Sequence, residues 1–402
     1  MNFLFIHQSM PGQFKHLAAE LARDPRHRVV FLTRRDDIEI PGVRRVSYAP
    51  NRAAFAGTHH YVRLYENSVL HGQQVLRESE RLKAEGFRPD LIIAHPGWGE
   101  ALFMKDVFPH APLLNYCEFY YHGTGADVGY DPETPGGMDV MCRARARNAH
   151  LLLSLEACDR GISPTYWQRD QHPAPFRSKI DVVFDGIDTA IVSPDASASF
   201  TLPDGRVLTA ADEVVTYIAR NLEPYRGFPS FMRAVPRILA TRPAARIVIV
   251  GGDEISYGRS APEGKTWREI MLDEIGPLDP ARVVMLPRIP YPQYLALLRV
   301  STAHVYLTVP FVLSWSCMEA LAAGCLVVGS STAPVQEVIE DGRTGLLADF
   351  LDPSSIATRV VEALHNRQAL MPVRQRARRL VEQKYALSVC LPAQLRLLQA
   401  MA

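Results

Sequence analysis

Short apolar runs alternate along the chain with stretches whose apolar positions recur every three or four residues. The first run, Asn2-Phe3-Leu4-Phe5-Ile6-His7, is continuous, as a strand buried on both faces requires. A turn at Pro11-Gly12 follows, and Phe14, Leu17, Ala18 and Leu21 then fall on one face of a helix predicted over about Gln13–Arg23. Further strands are predicted at Arg28–Thr33, Leu91–His95, Leu113–Tyr116, Leu151–Leu153 and Ile180–Phe184. After the turn at Asp185-Gly186 the pattern restarts. The Pro/Ser/Asp-rich stretch from Ser193 to Gly205 reads as a linker or a surface hairpin. A second strand series runs through Val214–Ala219, Arg246–Val250, Val283–Leu286, Val305–Leu307 and Cys325–Gly329. Strand–helix alternation of this kind predicts parallel sheets covered by helices, so an α/β protein of two doubly wound domains. In such sheets ligands bind beyond the carboxyl ends of the strands, which points to a cleft between the two domains.

Composition narrows the function classes. Among 402 residues, 44 Lys+Arg balance 43 Asp+Glu, a formal net charge of +1 that argues against a nucleic-acid coat. A hydrophobic content of 47% excludes a disordered, collagen-like or coiled-coil chain. No apolar run reaches the ~18 residues of a membrane-spanning helix. The N-terminal run lacks a basic leader and a small-residue cleavage site, and reads as a strand, not a signal peptide. Six cysteines, at 117, 142, 158, 317, 325 and 390, contain no Cys-x-x-Cys pair, so a reduced cytoplasmic setting is expected.

Three segments carry candidate chemistry. Arg220-Asn221-Leu222-Glu223-Pro224-Tyr225-Arg226-Gly227 joins a strand to a helix, and its two guanidiniums can converge on a diphosphate. In Pro310-Phe311-Val312-Leu313-Ser314-Trp315-Ser316-Cys317-Met318-Glu319 a strand gives way to a helix starting near Ser314 or Ser316. Its first N–H groups can hold an anion, and Glu319, one turn in, can accept two ribose hydroxyls. The third, Glu337–Leu347, reads as a short helix, a turn and a strand.

In order and spacing these segments resemble the donor-binding half of glycosyltransferase family 4, in a subgroup with Pro-Phe-Val-Leu-Ser-Trp-Ser in place of the usual Glu-Gly-Phe-Gly-Leu loop. Ile162-Ser163 and Val183–Asp188 are similar to further family segments. The resemblance implies a GT-B architecture, with two Rossmann-like doubly wound domains facing across a cleft. It implies an acceptor-side domain over 1–190 and a nucleotide-sugar-binding domain over 191–375. A C-terminal helix within 376–402 would cross back to the first domain. The implied reaction is transfer of a sugar, with retention of configuration, from a UDP- or GDP-linked donor to a glycan, lipid-linked or other hydroxyl acceptor. Bacterial surface polysaccharide or glycoconjugate synthesis is the implied setting.

Carried onto this chain, Arg220 and Arg226 match the pair that neutralises the diphosphate, and Gly12 matches a loop glycine that lets backbone approach the phosphates. Glu319 matches the ribose-binding Glu. Trp315 and Ser316 match positions whose backbone N–H groups meet the phosphates, Phe311, Leu313 and Ser314 beside them are expected to bind the donor, and Arg288 and Ile289 stand where main chain meets the base. The first Glu of the family's pair is absent, since Phe311 occupies its place. Glu118 stands where the family has a His, and is expected to orient the donor sugar or to accept the acceptor's proton. His95, Trp98 and Glu100 are placed to line the acceptor side. The resemblance also implies no cofactor and no metal, in keeping with the lack of an Asp-x-Asp triplet.

Expected partners are a nucleoside-diphosphate sugar and its acceptor, with no nucleic acid. Arg143, Arg145 and Arg147 form a basic cluster suited to weak peripheral membrane contact with anionic lipid, and otherwise a solvated face. Tyr257–Trp267 reads as a surface loop or a flap. Two other classes stay open on sequence: a nucleotide-sugar epimerase or hydrolase, and a catalytically silent sugar-nucleotide-binding relative.

Overall fold

The computed structural model describes residues 1–134 and 136–402. The chain forms two compact units, Met1–Gly186 together with Ser388–Ala402, and Ile187–Leu387.

The first unit holds a parallel sheet of β1 (Asn2–Ile6), β2 (Arg28–Thr33), β3 (Val43–Ser47), β4 (Leu91–Ala94), β5 (Leu113–Tyr116), β6 (Arg160–Ser163) and β7 (Ile180–Val182). They lie in the order β3-β2-β1-β4-β5-β6-β7. Successive side chains leave a strand on opposite faces, and β1 feeds two cores in this way. Leu4 and Ile6 pack with Val30, Leu32 and Ile92 against Val75 and Leu82 of the helix Arg63–Ala84. Phe3 and Phe5 pack with Phe31 and Ile93 against Phe14, Leu17 and Leu21. Leu397 and Leu398, from the last helix (Leu387–Met401), close that second face. The helix following β1 is a 3-10 turn, Gly12–Phe14, running into Lys15–Ala22.

The second unit holds β10 (Val214–Asn221), β11 (Arg246–Gly252), β12 (Val283–Leu286), β13 (Ala303–Tyr306), β14 (Leu326–Ser330) and β15 (Leu346–Ala348) in the order β12-β11-β10-β13-β14-β15, also parallel. Before them, β8 (Ser199–Thr201) and β9 (Val207–Thr209) form an antiparallel hairpin where the sequence read linker or hairpin. Its Phe200 and Leu208 cover Val214, Val248 and Val250. The helix Phe228–Thr241 buries Phe228, Phe231, Met232, Val235 and Ile238 along one stripe. Gly227 starts it at φ +67°, and a Cβ there would meet Leu307 Cβ at 2.6 Å, so the position demands glycine.

Two expectations are corrected. Leu151–Leu153 is not a strand: it lies within the helix Ala149–Ala157, with Leu151 and Leu155 buried and the two leucines between exposed. The short helix expected over Glu337–Leu347 lies just before it, at Ala333–Gln336. The second unit spans Ile187–Leu387, and Ser388–Ala402 belongs with the first. Among the described residues no helix is long and apolar enough to cross a membrane.

Candidate functional site

In the second unit, chemistry gathers at the carboxyl ends of β10 and β13. β10 ends in Arg220-Asn221, and a 3-10 turn, Pro224–Arg226, then delivers Arg226. The Tyr217 hydroxyl donates to the Arg226 carbonyl at 2.7 Å and fixes the turn. Arg226 Nη1 donates to Thr308 Oγ1 at 2.9 Å, the Val312 carbonyl at 3.2 Å and Tyr306 Oη at 3.4 Å. These acceptors are neutral, so the guanidinium is oriented and its charge is kept. Burial pulls its pKa down, but Tyr306, Tyr257 and Glu223 outweigh that and hold it above its ordinary value. The Tyr257 ring lies 5.3 Å from the guanidinium carbon and packs against Phe311 and Tyr225.

The Tyr257 segment is fastened down. Buried Glu223 accepts the backbone N–H groups of Ser256, Tyr257 and Gly258 at 3.2, 3.1 and 3.2 Å. Asn221 Nδ2 adds a bond to Ser256 Oγ at 2.8 Å.

Arg220 differs from Arg226. It is exposed, and its carbonyl accepts Arg288 Nε at 3.1 Å. Arg288 also donates to Asn221 Oδ1 at 2.7 Å and pairs with Glu254. Ser314 stands at the N-cap position of the helix Trp315–Ala322, and its N–H donates to Tyr306 Oη at 2.9 Å. Tyr306 therefore joins Arg226 to the helix start. The Trp315 and Ser316 amides head that helix, at the positive end of its dipole. Phe311 and Leu313 are buried, which narrows the expectation of donor contact there to main chain. Glu319 accepts the hydroxyls of Tyr291 at 2.7 Å and Tyr294 at 2.9 Å.

In the first unit, His7, Gln13, His95 and Glu118 meet at the ends of β1, β4 and β5. Backbone N–H groups of Ser9 and Gly97 donate to Nδ1 of His7 and His95, which places each neutral ring's proton on Nε2. His7 Nε2 then donates to Gln13 Oε1 at 2.8 Å, and Gln13 Nε2 donates to Glu118 Oε1 at 2.9 Å. His95 Nε2 lies 3.5 Å from Glu118 Oε2. Trp98 and Tyr116 stack on the His95 ring. Burial, then the neighbouring His95, lowers the His7 pKa to about 3. A small cavity of about 30 Å³ lies beside Glu118, walled by His95, Asn115, Tyr121 and His172.

Gly12 sits at φ +49°, and a Cβ there would meet the His7 ring at 2.3 Å, so His7 already accounts for the glycine. Glu100 is corrected. It is fully buried, and it accepts Tyr48 Oη at 2.7 Å and Gln8 Nε2 at 3.3 Å, so it braces the wall instead of lining it. Burial raises its pKa. In the basic cluster, Arg147 stacks 3.8 Å from the Tyr121 ring centroid.

The structure thus brings His95, Trp98 and Glu118 together in one unit. In the other it brings Arg220 to Arg288, and Arg226 to Val312 and Ser314. Sequence reasoning missed His7, Gln13, Tyr257, Tyr291, Tyr294 and Tyr306. For His7 a signal was present, since it follows β1 directly at the ligand-binding end of the sheet.

Comparison with known proteins agrees with the fold of two parallel-sheet units. The crystal structure of Anabaena HepE in complex with UDP-glucose matches with a TM-score of 0.69 at 15% identity, covering 100% of both chains. Sucrose-phosphate synthase from Thermosynechococcus elongatus also scores 0.69, at 16% identity, covering 100% of this chain and 99% of that one. The shared fold is GT-B, two Rossmann-like units in one chain. Residues 25–192 match the glycosyl transferase family 4 group, and residues 212–366 match glycosyl transferases group 1. With both halves matched, the chain belongs to this glycosyltransferase family. D-inositol 3-phosphate glycosyltransferases from Acidothermus cellulolyticus and Nocardioides sp. are 28% and 31% identical, over 50% and 46% of this chain. These matches span 44% and 41% of the two relatives, less than half their length.

Proposed function

We propose that the chain moves a sugar from a UDP- or GDP-linked donor to a hydroxyl of a glycan or lipid-linked acceptor, with retention of configuration, in the making of surface polysaccharide or glycoconjugate. The bond from the anomeric carbon to the diphosphate breaks, and the acceptor oxygen bonds that carbon on the same face. The acceptor's proton passes to the departing phosphate. Arg226, Arg220 and the Trp315 and Ser316 amides offset the charge that develops on the leaving group, the largest catalytic contribution assigned here. Glu319 accepts ribose hydroxyls, and Glu118 orients the sugar or, in place of the phosphate, takes the acceptor's proton. No metal or cofactor is assigned a part.

The observation that carries this reading is the Arg226 guanidinium, held by Thr308, Tyr306 and Val312 and joined through Tyr306 to a helix start. HepE solved with UDP-glucose, and again with UDP and glucose, supports a nucleotide-sugar donor. Thermal denaturation with UDP, GDP and their sugar conjugates tests it, because specific binding to the folded chain raises Tm. One nucleotide family is expected to stabilise the protein, and Arg226→Ala is expected to abolish the shift. An unaltered shift in that variant removes Arg226 from the site. Mass analysis with acceptor present then separates transfer from hydrolysis or isomerisation.

A further inference from the structure

We propose that Tyr291 and Tyr294 are positioning residues for nucleotide recognition, their paired hydroxyls fixing the plane in which the Glu319 carboxylate meets a ribose cis-diol. The inference rests on the donor reading above.

Tyr291 and Tyr294 stand three apart at the start of the helix Tyr291–Val300, which leaves the carboxyl end of β12. That spacing puts both on one helix face, and the rings stack at 5.7 Å with planes 29° apart. Glu319 comes from the helix that follows β13. The two phenols do not share an oxygen: Tyr291 donates to Oε1 and Tyr294 to Oε2. A carboxylate held at one oxygen still turns about its last torsion, which is broad for a glutamate. Held at both, it has one plane.

Each carboxylate oxygen offers more than one acceptor position, so phenol and ligand hydroxyl can bond the same oxygen. A cis-diol presents two donors at fixed spacing and profits from a fixed plane. A 2′-deoxyribose presents one and profits little. Burial, then Glu319, raises both phenol pKa values, so both remain proton donors. The two rings divide the work by depth. Tyr294 is 9% exposed and anchors the carboxylate from within, while Tyr291 is 48% exposed and stands at the rim where a ligand arrives.

The test is calorimetric titration of the whole chain with UDP, 2′-deoxy-UDP, GDP and 2′-deoxy-GDP, on wild type, Tyr291→Phe, Tyr294→Phe and the double variant. Wild type is expected to prefer the ribonucleotide about tenfold, as a site built for a hydroxyl rejects its absence. Each Phe variant is expected to weaken ribonucleotide binding about fivefold and deoxyribonucleotide binding less than about twofold, the loss following from a looser charged acceptor. The preference then falls toward about twofold in the double variant. Because Tyr291 is half exposed, Tyr291→Phe should keep the wild-type Tm, which separates positioning from misfolding. Phe variants that retain the full preference overturn the proposal and leave the donor reading standing. A wild type blind to the 2′-hydroxyl also overturns it. A wild type that binds none of the four overturns the donor reading itself.

Discussion

At the carboxyl ends of β1, β4 and β5 the first unit gathers imidazoles, a carboxylate and an amide; at the ends of β10 and β13 the second gathers a guanidinium, phenols and hydroxyls. The two sheets are built alike, parallel and covered on both faces. Their furnishings differ in what they can do with a proton. In the first unit an imidazole and a carboxylate can pass a proton, and Gln13 joins His7 to Glu118. Arg226 keeps its charge at any working pH, and its acceptors are neutral. Under the proposed function this difference would give proton handling to the first unit and fixed positive charge to the second.

The strongest blow to this contrast is Arg226→Ala. Turnover is expected to fall by about 100-fold or more, the scale of losing a preorganised charge at a leaving group. Arg220→Ala, an exposed side chain, is expected to cost only about tenfold. Steady-state rates on both variants check this, and equal losses would erase the distinction drawn between the two arginines. Glu118→Gln keeps the hydrogen bond from Gln13 and removes the charge. Turnover should drop at least about tenfold with Tm unchanged, the usual range for a general base or orienting carboxylate. Near-wild-type turnover takes Glu118 out of the site.

Acid should separate the units. Burial lowers the pKa of His7 to about 3 and of His71, His150 and His172 to about 4, while among the described histidines of the second unit only His304 is so lowered, to about 4. Such histidines are favoured neutral in the fold. Their contribution is complete above about 6.5, their unfolded value, and is lost as pH falls from there toward 4. Buried Glu100 acts in the opposite sense, since its pKa is raised and protonation relieves it. With four imidazoles against one acid, hydrogen-exchange protection, corrected for the intrinsic rate at each pH, should fall more in β1, β4 and β5 between pH 7 and 5 than in β10 and β13. Earlier loosening of the second unit would contradict this. The smallest effect belongs to Tyr257→Ala, which removes the ring over Arg226. KM for the donor is expected to rise about threefold with kcat nearly unchanged, in line with one cation–π contact.

How much of this was legible follows from what each residue packs against. β1, β4 and β10 announced themselves because a strand buried on both faces must be apolar throughout. β3 did not, because Val43-Arg44-Arg45-Val46-Ser47 is an edge strand that buries only Val46. Leu151–Leu153 misled because a run of three leucines has no period of its own. Only Leu155, a helical turn beyond Leu151, marks the buried side. In the candidate site, Arg226 and Glu319 were readable from local spacing. The partners that hold them were not. Thr308 lies 82 positions from Arg226, and Tyr291 lies 28 from Glu319. Such pairings belong to the topology of the sheet, which no local pattern encodes.

The return of Ser388–Ala402 to the first unit also orders events during synthesis. Chains leave the ribosome amino end first, and domains fold as their residues emerge. Every strand of the second sheet has emerged before Leu397 and Leu398 exist to cover Phe3 and Phe5. The half translated first is therefore the half completed last, and until then part of its aromatic face lacks its cover.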